Sequence, residues 1–277
     1  MSTNDNNRTS PPLPAAVAWR ISIGALLLLL LIGPVIFWRP AAAKSTARLQ
    51  VLFIGNSFTF YHDLPKMVAE LAEAGGQLPL GFQQETPGGY TLQQQWKDGK
   101  ALALIRSRRW DYVVLQDQSQ APLLNRKSMN EYAKKFNAEI RKQGANTILY
   151  MTWASQNKPA DQSAISTAYE RLSRELKAQL APVGNAWKTA LAADRKLVLH
   201  DTDQKHPSAT GTYLAACVFY ATIYGKSPEG LPGGIAGLTD NEARRLQAIA
   251  WKSVQAAGRT DKPATQRSPG QPSTASP

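Results

Sequence analysis

Short strand-like runs that each stop in a cluster of polar residues or glycine restrict this chain to few folds. Residues 51–54 end at Gly55-Asn56-Ser57, residues 78–84 at Glu85-Thr86-Pro87-Gly88-Gly89-Tyr90-Thr91, residues 111–115 at Gln116-Asp117-Gln118-Ser119, and residues 147–152 at Trp153-Ala154-Ser155. Runs this short and this apolar read as strands buried on both faces. Segments with helical spacing lie between them: residues 64–74, a stretch capped by Thr91 and running through Trp96 to Ile105, residues 128–142 ended by Gly144, and residues 164–180 with a stripe of Ile165, Tyr169, Leu172, Leu176 and Leu180. Strands alternating with helices predict an α/β domain with a parallel sheet covered on both faces. Right-handed crossovers would then carry every polar cluster to one edge of that sheet, where open α/β sheets bind ligands.

Further on, Leu197-Val198-Leu199 is the candidate for a fifth strand, and residues 181–187 read equally as a short strand or a loop. An apolar helix is expected over 210–224, a Gly/Pro loop over 230–237 and an amphipathic helix from about 240 to 256.

The ends of the 277-residue chain belong to other classes of structure. A polar leader, 1–20, precedes an apolar block, 21–38, with a six-leucine run; the block reads as a transmembrane anchor or as the core of a signal peptide. Ala41-Ala42-Ala43 favours cleavage, whereas the long leader and the length of the block favour an anchor. Either reading puts the folded part, 48–257 after a linker at 39–47, outside the cytoplasm, periplasmic or secreted. The tail 258–277, rich in Pro, Ser, Thr and Gln, is expected to be disordered.

A net charge of +12 invites a nucleic-acid reading, but residues 45–257 hold 25 of the bases and 18 of the acids, a net of +7. Those charges are scattered except for Arg106, Arg108 and Arg109, which fit a solvated helix end, and no nucleic-acid motif accompanies them. Cys217, the single cysteine, excludes an intramolecular disulfide and lies in an apolar stretch that predicts a buried, inert thiol. The histidines, His62, His200 and His206, show no metal-ligand spacing.

Ser57 admits two readings. After a strand, Asn56-Ser57 can simply cap the next helix; equally, Gly55 lets the chain turn sharply, so that the hydroxyl stands at a strand end beside free helix N–H groups, as a nucleophile would. Asp203 and His206 are likewise ambiguous. Their spacing suits a solvated salt bridge at a helix entry, or a carboxylate folded back on Nδ1 so that Nε2 faces a hydroxyl.

In combination, Gly55-Asn56-Ser57 after the first strand, Gly89 after the second, an amide after the third and Asp203-x-x-His206 near the end resemble the SGNH hydrolase superfamily, the GDSL-like lipases and esterases, over about residues 48–225. The resemblance implies a three-layer α/β/α sandwich around a flavodoxin-like, mostly parallel five-stranded sheet, and serine ester hydrolysis without metal or organic cofactor. It implies Ser57 as nucleophile, His206 as base, Asp203 as its orienting partner, and an oxyanion hole from the Ser57 and Gly89 N–H groups with a side-chain amide. This chain departs from the family pattern twice. Asn56 stands where the family has Asp, and the third block offers Gln118, with Gln116 as alternative, where the family supplies Asn. The Gly-x-Ser-x-Gly elbow of α/β-hydrolases is absent because position 59 is Thr.

The expected partner is therefore a small-molecule or glycan ester, with the membrane as a second partner if residues 21–38 are retained. Tyr90, Trp96 and Trp153 near the sheet edge are candidates to stack on sugar rings. An O-acyltransferase acting on envelope glycan and a non-catalytic envelope-binding module are the alternative functions.

Overall fold

Period-two alternation in the strands fixes the layering. In the first strand, β1 (Leu49–Ile54), Val51 and Phe53 point to one side and Leu52 and Ile54 to the other, and all four are fully buried. A strand buried on both sides needs a helical layer on each, and the computed structural model, which describes residues 48–260, supplies both. The apolar block 21–38 and the sequence on either side of it to residue 47 lie outside the described residues, as does 261–277.

From β1 the chain enters a one-turn helix α1 (Ser57–Phe60), a 3-10 turn and α2 (Leu64–Ala74), then β2 (Leu80–Glu85). The helix expected over 91–105 is two, α3 (Leu92–Asp98) and α4 (Lys100–Ser107), broken at Gly99. Next come β3 (Tyr112–Leu115), the short α5 (Ala121–Leu124), α6 (Arg126–Lys142) and β4 (Asn146–Tyr150). The remainder is α7 (Gln162–Leu176), β5 (Gln179–Ala181), α8 (Val183–Ala193), α9 (Ala209–Tyr224) and α10 (Asp240–Thr260).

All strand pairs are parallel, in the order β2-β1-β3-β4-β5. One core holds Val51, Phe53, Val114 and Tyr150 against α2, α8, α9 and α10; the other holds Leu52, Ile54, Val113 and Leu149 against α3, α4, α6 and α7. The result is a three-layer α/β/α sandwich, as the sequence predicts. The helix α9 is apolar all round because it is buried nearly throughout; burial also pushes the Cys217 thiol up to about 12.

The fifth strand is not where the sequence pattern put it. Lys177 adopts a left-handed conformation (φ 51°) that ends α7 at Leu176, and Leu180, expected on the helix stripe, instead enters β5 beside Leu149. Pro182 then N-caps α8, which resolves the ambiguous stretch 181–187 into strand end and helix start. At 197–199 there is no strand: Val198 is 66% exposed, only Leu199 is buried, and His200 makes a lone antiparallel bridge to Pro207. The last helix runs past 257 to Thr260. No helix among the described residues is long and apolar enough to cross a membrane.

Register sets up the functional edge. Ile54, the last residue of β1, pairs with Glu85 at the end of β2 and with Leu115 at the end of β3. Three loops, beginning at Gly55, Thr86 and Gln116, therefore leave the sheet in one row. The chain crosses from β2 to β3 over β1, so that row lies at the topological switch point.

Candidate active site

Gly55 opens the first loop because nothing larger fits: a Cβ there would stand 2.5 Å from both Gln116 Oε1 and Thr59 Oγ1. Asn56 follows as N-cap of α1, its Oδ1 accepting the Phe58 N–H at 3.1 Å. Ser57 thus occupies the first helical position, where its own N–H has no intrahelical acceptor. Its Oγ lies 2.8 Å from His206 Nε2. The other ring nitrogen, Nδ1, hydrogen-bonds Asp203 Oδ2, while Asp203 Oδ1 accepts the Lys205 and His206 N–H groups, each at 2.9 Å. Desolvation pushes the Asp203 carboxyl upward, but the His206 bond and these two backbone bonds outweigh it and hold the group at about 2. An ionised Asp203 can only accept, so Nδ1 carries the hydrogen and Nε2 is left to accept the Ser57 proton.

The loop carrying Asp203 and His206 is pinned from several sides. Asp201 N–H donates to His206 O at 2.8 Å, Gln156 N–H to Gln204 O at 2.9 Å, and Trp153 Nε1–H to Lys205 O at 2.9 Å. His200, at the base of this loop, is 5% exposed; burial lowers its pKa, and Nε2–H donates to Ala154 O at 3.0 Å. Beneath lies a column of flat-stacked rings, Phe58 on Trp153 at 4.6 Å and Trp153 on Trp187 at 3.9 Å. Trp153, covered on both faces and 2% exposed, is closed to a sugar. Trp96 packs edge-on to Phe136 at 5.1 Å and, like Tyr90, is half-buried.

Asn56 does more than cap α1. Besides accepting from Phe58, its Oδ1 takes a hydrogen bond from Gln116 Nε2 at 2.9 Å, and its Nδ2 donates to Tyr90 O at 2.9 Å. A carboxylate could not donate that last bond. The side chain, 2% exposed, ties together the loops after β1, β2 and β3. Gln95 reinforces the tie, its Nε2 donating to Gly55 O and Glu85 O, both at 2.9 Å.

The two glutamines separate clearly. Gln116 is 1% exposed and saturated: Oε1 accepts from Asn56 N–H at 2.8 Å and Thr59 Oγ1–H at 2.9 Å, and Nε2 donates to Asn56 Oδ1 and to Asp117 O. Gln118 is half-buried; Oε1 accepts the Gln120 N–H at 2.7 Å, and its Nε2 makes no hydrogen bond among the described residues. Gly89 adopts φ +71° in a turn closed by Tyr90 N–H to Pro87 O, and its N–H likewise makes no hydrogen bond among the described residues.

Sequence reasoning placed Asp117 in a polar run but gave it no role. It is 3% exposed, and its Oδ1 accepts the Leu92 N–H at 3.0 Å and the Gln118 N–H at 2.7 Å, clamping the start of α3 to the third loop. Burial raises its pKa to about 6 despite those two bonds. Tyr61 was also missed; its ring lies flat on the His206 imidazole.

No protein-family model and no curated protein matches the sequence. Solved structures do match in fold. A DUF4886 family protein from Bacteroides uniformis ATCC 8492 aligns over 78% of this chain and 97% of its own, with a TM-score of 0.67 and 18% identity. A Slackia heliotrinireducens protein assigned to the SGNH hydrolases aligns over 64% of this chain and all of its own, with a TM-score of 0.56 and 23% identity. The acetyl xylan esterase AlAXEase aligns over 63% of this chain and all of its own, with a TM-score of 0.54 and 14% identity. The fold is that of the SGNH hydrolases.

Proposed function

We propose that this chain is an SGNH-type serine esterase that hydrolyses small-acyl esters of carbohydrates outside the cytoplasm, held at the membrane by residues 21–38 where that block is not cleaved. The observation that carries the reading is the continuous hydrogen-bonded line from Asp203 through His206 to Ser57 Oγ. A capping serine has no need of an imidazole at 2.8 Å whose far nitrogen is already held by a carboxylate.

In this mechanism His206 Nε2 takes the Ser57 proton as Oγ attacks the ester carbonyl, and Asp203 steadies the imidazolium that results. The negative charge on the carbonyl oxygen is met by the Ser57 and Gly89 N–H groups and by Gln118 Nε2. Gln118 is preferred to Gln116 because the Gln116 amide is already saturated by Asn56 and Asp117. His206 then gives its proton to the departing alcohol, and water repeats the sequence on the acyl-enzyme. The carbohydrate side of the proposal draws on the acetyl xylan esterase among the structures of like fold.

The test is release of nitrophenol from p-nitrophenyl acetate, and of acetate from acetylated xylan, by the purified chain and its Ser57→Ala variant. Loss of turnover by about 10⁴-fold or more in the variant is expected, since the nucleophile itself is gone. Equal rates from both proteins would refute the reading.

A further inference from the structure

The His206 ring is confined by more than its two hydrogen bonds. Tyr61 lies parallel to it, with ring centroids 4.2 Å apart and planes 9° apart, and Phe58 meets it edge-on at 5.4 Å and 65°. Phe58 cannot shift away, because its own face is stacked on Trp153. Both rings come from the segment that begins with Ser57, so the proposed nucleophile and the walls around its base are delivered by one turn of chain.

The backbone just after Tyr61 is unusual. The one-turn helix α1 closes with the Tyr61 N–H on Ser57 O, Tyr61 turns extended (φ −58°, ψ 133°), and His62 and Asp63 then follow with φ 50° and 51°. Two successive non-glycine residues in the left-handed region are strained. Helix capping does not account for the geometry, since Asp63, the N-cap of α2, makes no side-chain capping bond. What the turn does achieve is to redirect the chain into α2 while Tyr61 stays against His206.

We propose that Tyr61 is a positioning residue for His206, and that the left-handed His62–Asp63 turn exists to hold it there; this rests on the reading of Ser57, His206 and Asp203 as the catalytic triad. A tilt of the imidazole out of its plane toward Tyr61 must displace the Tyr61 ring. When His206 takes the serine proton, its positive charge also develops against the electron-rich face of Tyr61. Both effects act on the transition state more than on substrate binding, so they are read in kcat rather than KM.

The experiment compares the full chain with Tyr61→Phe, Tyr61→Ala, His62→Gly and His62→Val. It measures kcat and KM on p-nitrophenyl acetate with Ser57→Ala as blank, and the downfield proton resonance of the His206 Nδ1–H. Circular dichroism establishes that each variant is folded. Tyr61→Phe keeps the stack and is expected to retain kcat within about twofold. Tyr61→Ala is expected to lose about tenfold or more in kcat with little change in KM, a part of the 10²–10⁴-fold that a general base contributes. His62→Gly takes positive φ freely and should keep most of the rate, whereas His62→Val should fall with Tyr61→Ala. An unaltered kcat in Tyr61→Ala, or a loss in Tyr61→Phe equal to that in Tyr61→Ala, overturns the proposal. If the wild type shows no Ser57-dependent turnover, it is the esterase reading that fails, and the resonance alone then judges Tyr61. A signal sharp in the wild type and Tyr61→Phe but broadened in Tyr61→Ala supports positioning; one unchanged in all three refutes it.

Discussion

Replacing Asp117 by Asn removes a buried charge while keeping the one oxygen that the Leu92 and Gln118 N–H groups share. Burial raises the wild-type carboxyl from 3.8 to about 6 in the folded state, and the two amide bonds only partly oppose it. A carboxyl raised on folding stabilises the protein most below its unfolded pKa, where it is neutral in both states. That stability is lost as pH climbs through the folded value, because the unfolded chain ionises freely and the buried site does not. At about 1.4 kcal/mol per pH unit, this displacement removes about 3 kcal/mol of stability in all, about 2 kcal/mol of it between pH 4 and pH 6. Urea unfolding of wild type and Asp117→Asn at half-unit steps from pH 4 to pH 7.5 measures it directly. The variant should gain on the wild type up to about pH 6, level off above it, and lead by about 2.4 kcal/mol more at pH 7 than at pH 4. Two profiles running parallel across that range would refute the argument, because Asp117 would then titrate alike folded and unfolded.

Two further changes follow from the loop network. Asn56→Asp keeps the accepting oxygen but cannot donate to Tyr90 O, so it should cost about 1–3 kcal/mol in chemical denaturation and lower kcat by loosening the loop that carries Gly89. Gln118→Ala should lower kcat about 10²-fold on p-nitrophenyl acetate with KM little changed, whereas Gln116→Ala should show first as about 1–3 kcal/mol of lost stability, since it leaves the Asn56 N–H and the Thr59 hydroxyl unpaired.

The sheet was legible because double-sided burial writes itself plainly: Val51-Leu52-Phe53-Ile54 has no polar residue to spare for either face. The convergence of Ser57 and His206 was legible only through the order of the blocks, as nothing in the spacing of residues so distant in the chain specifies a distance. The misplaced fifth strand shows the limit of periodicity. Leu176 and Leu180 fit one helical stripe, and no glycine or proline before Pro182 announces that Lys177 turns left-handed between them. The polar wiring was hidden for a different reason: Asn56, Gln116 and Asp117 are short-range polar letters in sequence, and only the register of β1 with β3 makes them a buried network. The Trp153 column was misread because an aromatic residue at a strand end looks the same whether it faces a ligand or, as here, two other rings.

Ser57 and His206 are 149 positions apart, and the loop that carries the base is secured through Trp153, Gln156 and Tyr61 as well as by hydrogen bonds within the loop itself. A ribosome must therefore finish β4, α7, β5 and α8 before the second half of the proposed triad exists at all. Until then Ser57 lacks its proposed base, so on the esterase reading no shorter chain could turn over an ester by this route. On the esterase reading turnover would report that the Asp203–His206 loop has reached Ser57, a contact distinct from the pairing of the strands.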